Sequence, residues 1–183
     1  MKIESLAIPD VKLLTPKIFR DARGFFSETW NERVLADAGI SAHFVQDNHA
    51  LSADRGTLRG IHFQLAPRAQ DKLVRAVKGS ILDVAVDLRR ASPTFGKSVS
   101  AVLSAENWTQ IWVPKGFGHG YVTLEPNTEV VYKVTDYYSP EHDRGILWND
   151  PALAIGWGIG AEDVILSNKD RTQPLLADAR DLF

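Results

Sequence analysis

The sequence predicts an all-β protein, a jelly-roll barrel with short peripheral helices. Most of the chain consists of short apolar segments, and turn residues separate them at short intervals. Segment 80–88 has the two-residue period of a strand, with one face made of Leu82, Val84, Val86 and Leu88. Many short strands bounded by turn signals are typical of a sandwich or a barrel. No repeat, low-complexity tract or linker divides the sequence, so residues 1–183 are expected to form a single domain.

Turn and capping residues divide the first fifty residues or so. Pro16 lies inside the apolar segment 11–19, where a proline suits an edge strand or a bulge because it has no N–H to donate. Asn31 can cap a short helix, and Gly39 can end it. The expected elements are a strand over 11–19, a turn at 21–24, an aromatic-rich strand over 24–30, a helix over 32–38 and an extended segment over 43–48.

The middle of the chain is predicted to be mainly β-structure. Segment 71–78 has apolar side chains at both odd and even positions, which indicates a strand covered on both sides. Gly79 is the natural turn into segment 80–88. The expected strands cover 57–64, 71–78, 80–88, 96–103, 109–113, 120–124 and 129–138. Beyond them, 148–158 is expected to be irregular and 175–181 to be helical.

Charge and composition exclude several classes of protein. The chain has 21 Lys and Arg against 23 Asp and Glu, a net charge of −2, which argues against binding nucleic acid or an anionic membrane through bulk charge. It has no cysteine, which excludes disulfides, thiol nucleophiles and cysteine zinc sites. No apolar run approaches the roughly 18 residues that cross a bilayer. Residues 1–9 do not have the pattern of a signal peptide, so we expect a cytoplasmic protein.

Arg59 and His62 lie in a predicted central strand, where polar side chains need partners if they are buried. Strict alternation would place them on opposite faces, because they are three residues apart. A bulge at Gly60 could turn both inward. Two simpler interpretations stay open: Arg59 caps a rim and points to solvent, and His62 is a structural histidine.

His119 ends the motif Pro114-x-Gly116-x-x-His119, which resembles the second motif of the cupin barrels, where such a histidine often binds a metal. The first cupin motif normally contains His-x-His, but here the corresponding segment is His62-Phe63-Gln64. A first-row metal needs several ligands that converge on one point. We therefore expect a cupin-like barrel that holds no metal.

Three further polar residues have an ordinary and a functional interpretation. Lys72 lies in a strand, so its ammonium either extends to solvent or serves a pocket. Tyr132 shares a face with Val130 and Val134, as a core tyrosine or as an inward phenol with a useful proton. From the sequence alone, Asp170 is expected to belong to a solvated charge cluster, and no spacing pairs it with His62.

Taken together, these motifs resemble the dTDP-4-dehydrorhamnose 3,5-epimerase family over residues 11–170. The most specific part is Leu58-Arg59-Gly60-Ile61-His62, preceded by Gln46-Asp47-Asn48. The other matching segments are Arg23-Gly24-Phe25-Phe26-x-Glu28, Lys72-Leu73-Val74, Pro114-x-Gly116-Phe117-x-His119-Gly120, Val131-Tyr132-Lys133, Thr135-Asp136-Tyr137-Tyr138-Ser139-Pro140, Asn149-Asp150-Pro151 and Ser167-x-Lys169-Asp170.

The resemblance implies a cupin-type epimerase without a cofactor, which acts on a dTDP-linked 4-keto-6-deoxy sugar as a homodimer that shares N-terminal strands. It makes His62 the base, paired with Asp170, makes Tyr132 the acid and places Lys72 near the ketone oxygen. Arg59 and His119 would hold polar parts of the substrate, the diphosphate in the case of Arg59. The other residues implied in substrate binding are Arg23, Phe26, Glu28, Gln46, Asn48, Tyr138, Asp143 and Lys169. The chain departs from the family pattern at His49, Gly118, Tyr121 and Asp143.

The chemistry explains why a base and an acid are both needed. A 4-ketone acidifies the hydrogens on the two neighbouring carbons, and inversion removes a proton from one face and returns one to the other. One group cannot reach both faces, so a base and an acid on opposite sides are required.

Three other functions stay open for this sequence. They are an epimerase that inverts only C3 or C5, a cupin that binds sugar nucleotides without catalysis, and a metal-dependent cupin oxygenase.

Overall fold

The computed structural model describes all 183 residues and contains thirteen strands and two short α-helices. The strands are β1 (Lys2–Ser5), β2 (Lys12–Thr15), β3 (Ile18–Asp21), β4 (Gly24–Ser27), β5 (Gln46–Ser52), β6 (Leu58–Gln64), β7 (Lys72–Lys78), β8 (Ser80–Asp87), β9 (Ser98–Ser104), β10 (Gln110–Val113), β11 (Phe117–Thr123), β12 (Thr128–Val134) and β13 (Asp143–Gly145). The helices are α1 (Glu32–Asp37) and α2 (Asn168–Arg171), with one 3₁₀ turn at Ala161–Asp163. No helix is long and apolar enough to cross a membrane.

Two antiparallel sheets form the barrel, which confirms the predicted all-β jelly roll. The six-stranded sheet has the order β1-β2-β10-β7-β12-β5, and the five-stranded sheet has the order β13-β6-β11-β8-β9. Strands β3 and β4 pair only with each other, as a separate hairpin. Strands β6, β7, β11 and β12, which carry His62, Lys72, His119 and Tyr132, each have a neighbour on both sides, whereas β5 and β13 are edge strands.

An inner core fills the space between the two sheets. It contains Val74 and Val130 from the six-stranded sheet, and Ile81 and Ala85 from the five-stranded sheet. The opposite face of β8 is also buried, so the clean alternation of segment 80–88 belongs to a strand covered on both sides. Asp83 therefore lies on the inner face with no exposed surface.

An outer core covers the far side of the five-stranded sheet. The C-terminal segment supplies Ile146, Trp148, Leu153 and Trp157 to it. The indole N–H of Trp157 donates to the carbonyl of Trp148 at 2.9 Å. The prediction that segment 148–158 is irregular is confirmed, and its tryptophans cover the outer face of the five-stranded sheet.

Some predicted element bounds were wrong. Segment 11–19 divides at Pro16 into β2 and β3, and the extended segment predicted at 43–48 is a strand over Gln46–Ser52. The predicted helix at 175–181 is absent, because that segment forms turns. The C-terminal helix is α2 instead, which starts where the Ser167 side chain accepts from the N–H of Asp170. Strands β1 and β13 were not predicted.

Candidate active site

A cavity of about 470 Å³ opens between the two sheets. It is lined by side chains from β5, β6, β7, β11 and β12 and from the segment that leads into α2. Six of the predicted site residues line it: Arg59, His62, Lys72, His119, Tyr132 and Asp170.

A β-bulge at Gly60 places Arg59 and His62 on the same side of β6. Opposite them on β11, His119 pairs with His62 and Tyr121 pairs with Arg59, so three steps on β6 match two on β11. Gly60 has a φ of +130°, and a Cβ there would lie 2.5 Å from the Cα of Gly120. The bulge hypothesis is therefore confirmed, although Arg59 stays exposed at the open side of the cavity.

His62 and Asp170 form a close pair. His62 Nε2 lies 2.5 Å from Oδ1 of Asp170, whose side chain is almost completely buried. The Ser167 hydroxyl donates to Oδ2 of the same carboxylate at 2.7 Å. Burial opposes the ionisation of Asp170, but the hydrogen bonds from His62 and Ser167 and the charge of Lys169 lower its pKa below the ordinary value. The expectation of a solvated Asp170 was wrong, because α2 carries the residue into the cavity.

Lys72 and Tyr132 line the cavity from the facing sheet. Tyr132 on β12 pairs with Val74 on β7, and Val74 is two residues from Lys72. The side chains of Tyr132 and Lys72 therefore lie on the same, inward face of the sheet. Burial raises the pKa of Tyr132, and the charge of Arg59 partly offsets this. Burial lowers the pKa of Lys72 to about 8, although the negative charge of Asp83 acts to raise it. Lys72 therefore serves the cavity and does not extend into solvent.

His119 is held by the carboxylate of Asp83, which was not among the predicted site residues. Its Nε2 lies 2.9 Å from both oxygens of Asp83, and both side chains are buried. Burial raises the pKa of Asp83, although the charges of His119 and Lys72 oppose this. The available signal was an acidic residue between apolar neighbours, Leu82 and Val84, in the middle of a strand. Asp83 thus holds His119 in place, and its charge also acts on Lys72.

A smaller depression of about 200 Å³ shares His62, Lys72 and Tyr132 with the main cavity. It is also lined by five predicted substrate-binding residues: Gln46, Asn48, Tyr138, Asp143 and Lys169. Gln46 donates to Asn48 at 2.8 Å, and the Tyr138 hydroxyl donates to Asp143 at 3.2 Å. Lys169 pairs with Asp143. These side chains offer donors and acceptors to a polar ligand beside the cavity.

Three predicted residues are not at the cavity of this single chain: Arg23, Phe26 and Glu28. Arg23 is bonded to Asp21 across the turn of the β3–β4 hairpin, with Nη2 2.6 Å from Oδ2. Phe26 is 70% exposed. No group of three or more His, Asp or Glu side chains in the protein is arranged to hold a metal ion.

Comparisons with a family model and with curated proteins identify the same family. The family model described as dTDP-4-dehydrorhamnose 3,5-epimerase matches residues 5–178. The chain is 54% identical over 180 residues to a dTDP-4-dehydrorhamnose 3,5-epimerase of Pseudomonas aeruginosa, and the match covers 98% of each chain.

Two solved structures are similar throughout. The first is a dTDP-4-dehydrorhamnose 3,5-epimerase from Bacillus anthracis with TDP and PPi bound; it is 52% identical, with a TM-score of 0.91 over 95% of this chain and 98% of that chain. The second is a dTDP-6-deoxy-D-glucose-3,5-epimerase from Legionella pneumophila in complex with dTDP-4-keto-L-rhamnose. It is 45% identical, with a TM-score of 0.92 over 97% of this chain and 93% of that chain.

Proposed function

The chain belongs to the dTDP-4-dehydrorhamnose 3,5-epimerase family, and we propose from this premise that it is an isomerase in dTDP-L-rhamnose biosynthesis. It converts dTDP-4-dehydro-6-deoxy-D-glucose into dTDP-4-dehydro-L-rhamnose by inverting C3 and C5. The observation that carries the proposal is the His62–Asp170 pair on one side of a cavity whose other side holds Tyr132 and Lys72.

His62 acts as the base. Its imidazole faces the cavity while Asp170 holds Nε2, which leaves Nδ1 as the nitrogen that accepts a proton from the carbon next to the ketone. The ionised Asp170 stabilises the imidazolium that forms and fixes the orientation of the ring. Positioned acid–base groups typically contribute about a hundredfold to ten-thousandfold to rate.

Tyr132 acts as the acid. It lies on the six-stranded sheet, whereas His62 lies on the five-stranded sheet, so the two groups can address opposite faces of a sugar ring between them. Because burial raises its pKa, the Tyr132 phenol keeps its proton near neutral pH and can donate it to the enolate carbon.

Lys72 stabilises the enolate oxygen. A buried ammonium interacts with a developing negative charge more strongly than a solvated one does, because little water screens it. Its pKa of about 8 leaves most of the side chain charged at neutral pH. No step in this scheme requires a cofactor or a metal. Activity that is lost with EDTA and restored by a divalent ion would favour the metal-dependent alternative.

Arg59, His119 and the residues of the smaller depression hold the substrate outside the reacting carbons. Arg59, at the open side of the cavity, is suited to the diphosphate, because a guanidinium can bind a phosphate with two parallel hydrogen bonds. The Asp83-bound His119 supplies a fixed polar contact within the cavity. Gln46, Asn48, Tyr138, Asp143 and Lys169 are placed to bind the nucleotide.

A second copy of the chain completes the site. Hairpin β3–β4 exposes Phe19, Phe25 and Phe26 by 51%, 60% and 70%, a surface that a monomer would leave in water. In a homodimer, this hairpin can carry Arg23, Phe26 and Glu28 to the partner's cavity. Mixing two inactive variants, Arg23→Ala and His62→Ala, should then restore about a quarter of the wild-type activity. Half of the dimers would contain one copy of each variant, and one of the two sites in each such dimer would be intact. A concentration-independent monomer mass would contradict the dimer.

Turnover of dTDP-4-keto-6-deoxyglucose in deuterated water tests the function. NMR of the product should show deuterium at both C3 and C5, with both centres inverted. Deuterium and inversion at one carbon only would favour the mono-epimerase alternative. Tight binding without any exchange would favour a cupin that binds sugar nucleotides without catalysis. The cytoplasmic location stays a prediction, which cell fractionation can test.

A further inference from the structure

Tyr121 is a buried phenol of the cavity that the scheme above does not use. It lies on β11, paired with Arg59 on one side and with Asp83 on the other. Its side chain points inward, two residues from His119, and it lines the cavity while being only 5% exposed. Tyr121 is therefore surrounded by groups that bind or activate substrate.

The chemistry of this position favours a hydrogen-bonding role. Burial raises the pKa of Tyr121 to about 12, so its phenol is neutral at physiological pH and can both donate and accept a hydrogen bond. The titratable groups that act on it are Arg59, Tyr132 and Asp83, and Ser52 is its neighbouring hydroxyl. The phenolic oxygen thus lies among the polar groups of the cavity, where a buried hydroxyl needs a partner.

We propose that the Tyr121 hydroxyl binds the C2 hydroxyl of the sugar and makes Tyr121 a specificity-determining residue. The inference rests on the proposed function. Arg59 holds the diphosphate on C1, while His62, Tyr132 and Lys72 act on C3 to C5. Tyr121 is the cross-strand neighbour of Arg59, so with the diphosphate at Arg59 its inward phenol is directed to the C1 end of the sugar, where the next hydroxyl is that of C2.

The test compares two substrates in two proteins. The kcat/KM of the wild type and of Tyr121→Phe is measured with dTDP-4-keto-6-deoxyglucose and with its 2-deoxy analogue. The wild type should prefer the hydroxyl-bearing substrate by about five- to a hundredfold, because the analogue lacks the hydroxyl that the phenol binds. Tyr121→Phe should lose most of this preference. Tyr137→Phe, at an exposed tyrosine outside the cavity, is the matched control and should keep it.

Three results would overturn the inference. The first is equal kcat/KM of the wild type for the two substrates, a result that does not depend on how well the variant folds. The second is an unchanged preference in Tyr121→Phe, and the third is an equal loss with both substrates, which would indicate a purely structural role. A wild type that turns over neither substrate would instead contradict the proposed function.

Discussion

His62 and Tyr132 line one cavity from opposite sheets, on β6 of the five-stranded sheet and β12 of the six-stranded sheet. This arrangement matches what an epimerase needs, because the proton must leave one face of the sugar and return to the other. Under the proposed function, the two sheets of the barrel would place the base and the acid on opposite faces of the sugar.

Tyr132→Phe should separate exchange from inversion. The variant keeps the base, so deuterium from the solvent should still enter the substrate, but the enolate is reprotonated from the face that lost its proton. Inversion should fall by about a hundredfold or more while much of the exchange remains. NMR of substrate and product in deuterated water measures both. Full inversion at the wild-type rate would remove Tyr132 from the role of acid.

Ser167 should act as a positioning residue for the His62–Asp170 pair. Its hydroxyl both accepts from the Asp170 N–H at 3.1 Å and donates to the Asp170 carboxylate at 2.7 Å. Ser167→Ala removes a hydrogen bond that lowers the pKa of Asp170, so that pKa should rise, which moves the acidic limb of the kcat/KM profile to higher pH.

Ser167→Thr is the matched control, because threonine keeps the hydroxyl and the N-cap. It should retain the wild-type profile. NMR titration of the Asp170 carboxylate follows the effect without relying on turnover. An acidic limb that is the same in Ser167→Ala as in the wild type would show that Ser167 only caps α2.

Lys72 should set an alkaline limit on activity. Its folded-state pKa of about 8 is below the ordinary value of 10.5, so its positive charge is present below about pH 8 and is lost as the pH rises through that value. The kcat/KM should therefore decline above about pH 8. In Lys72→Arg the side chain stays charged to much higher pH, so this decline should disappear even if the overall rate is lower. An identical alkaline limb in both proteins would assign it to another group.

Arg59→Lys should weaken dTDP binding although the charge is unchanged. A planar guanidinium can hold a phosphate with two parallel hydrogen bonds, and an ammonium cannot. The Kd for dTDP, measured by calorimetry, should rise by about tenfold. Arg55→Lys, at an exposed arginine outside the cavity, is the matched control. An unchanged Kd in Arg59→Lys would mean that Arg59 faces away from the diphosphate.

The sequence predicted local features of the site better than distant contacts. Gly60 indicated a bulge, and the bulge joins Arg59 and His62 at the cavity. The pairing of His62 with Asp170 crosses 108 residues, and no periodicity encodes it. The role of Asp83 was not predicted for the same reason. Its partner His119 comes from a neighbouring strand, and the sequence does not fix the register between the two strands. The observed strand ends differ from the predicted ones because the hydrogen-bonded partner strands, more than the local composition, decide where pairing stops.

The most direct test of the proposed function is solvent deuterium exchange in His62→Ala. If His62 removes the proton, the variant should lose turnover and exchange together, each by about a hundredfold to ten-thousandfold. His43→Ala, at an exposed histidine outside the cavity, should exchange at the wild-type rate. Exchange at the wild-type rate in a folded His62→Ala would contradict the assignment of His62 as the base.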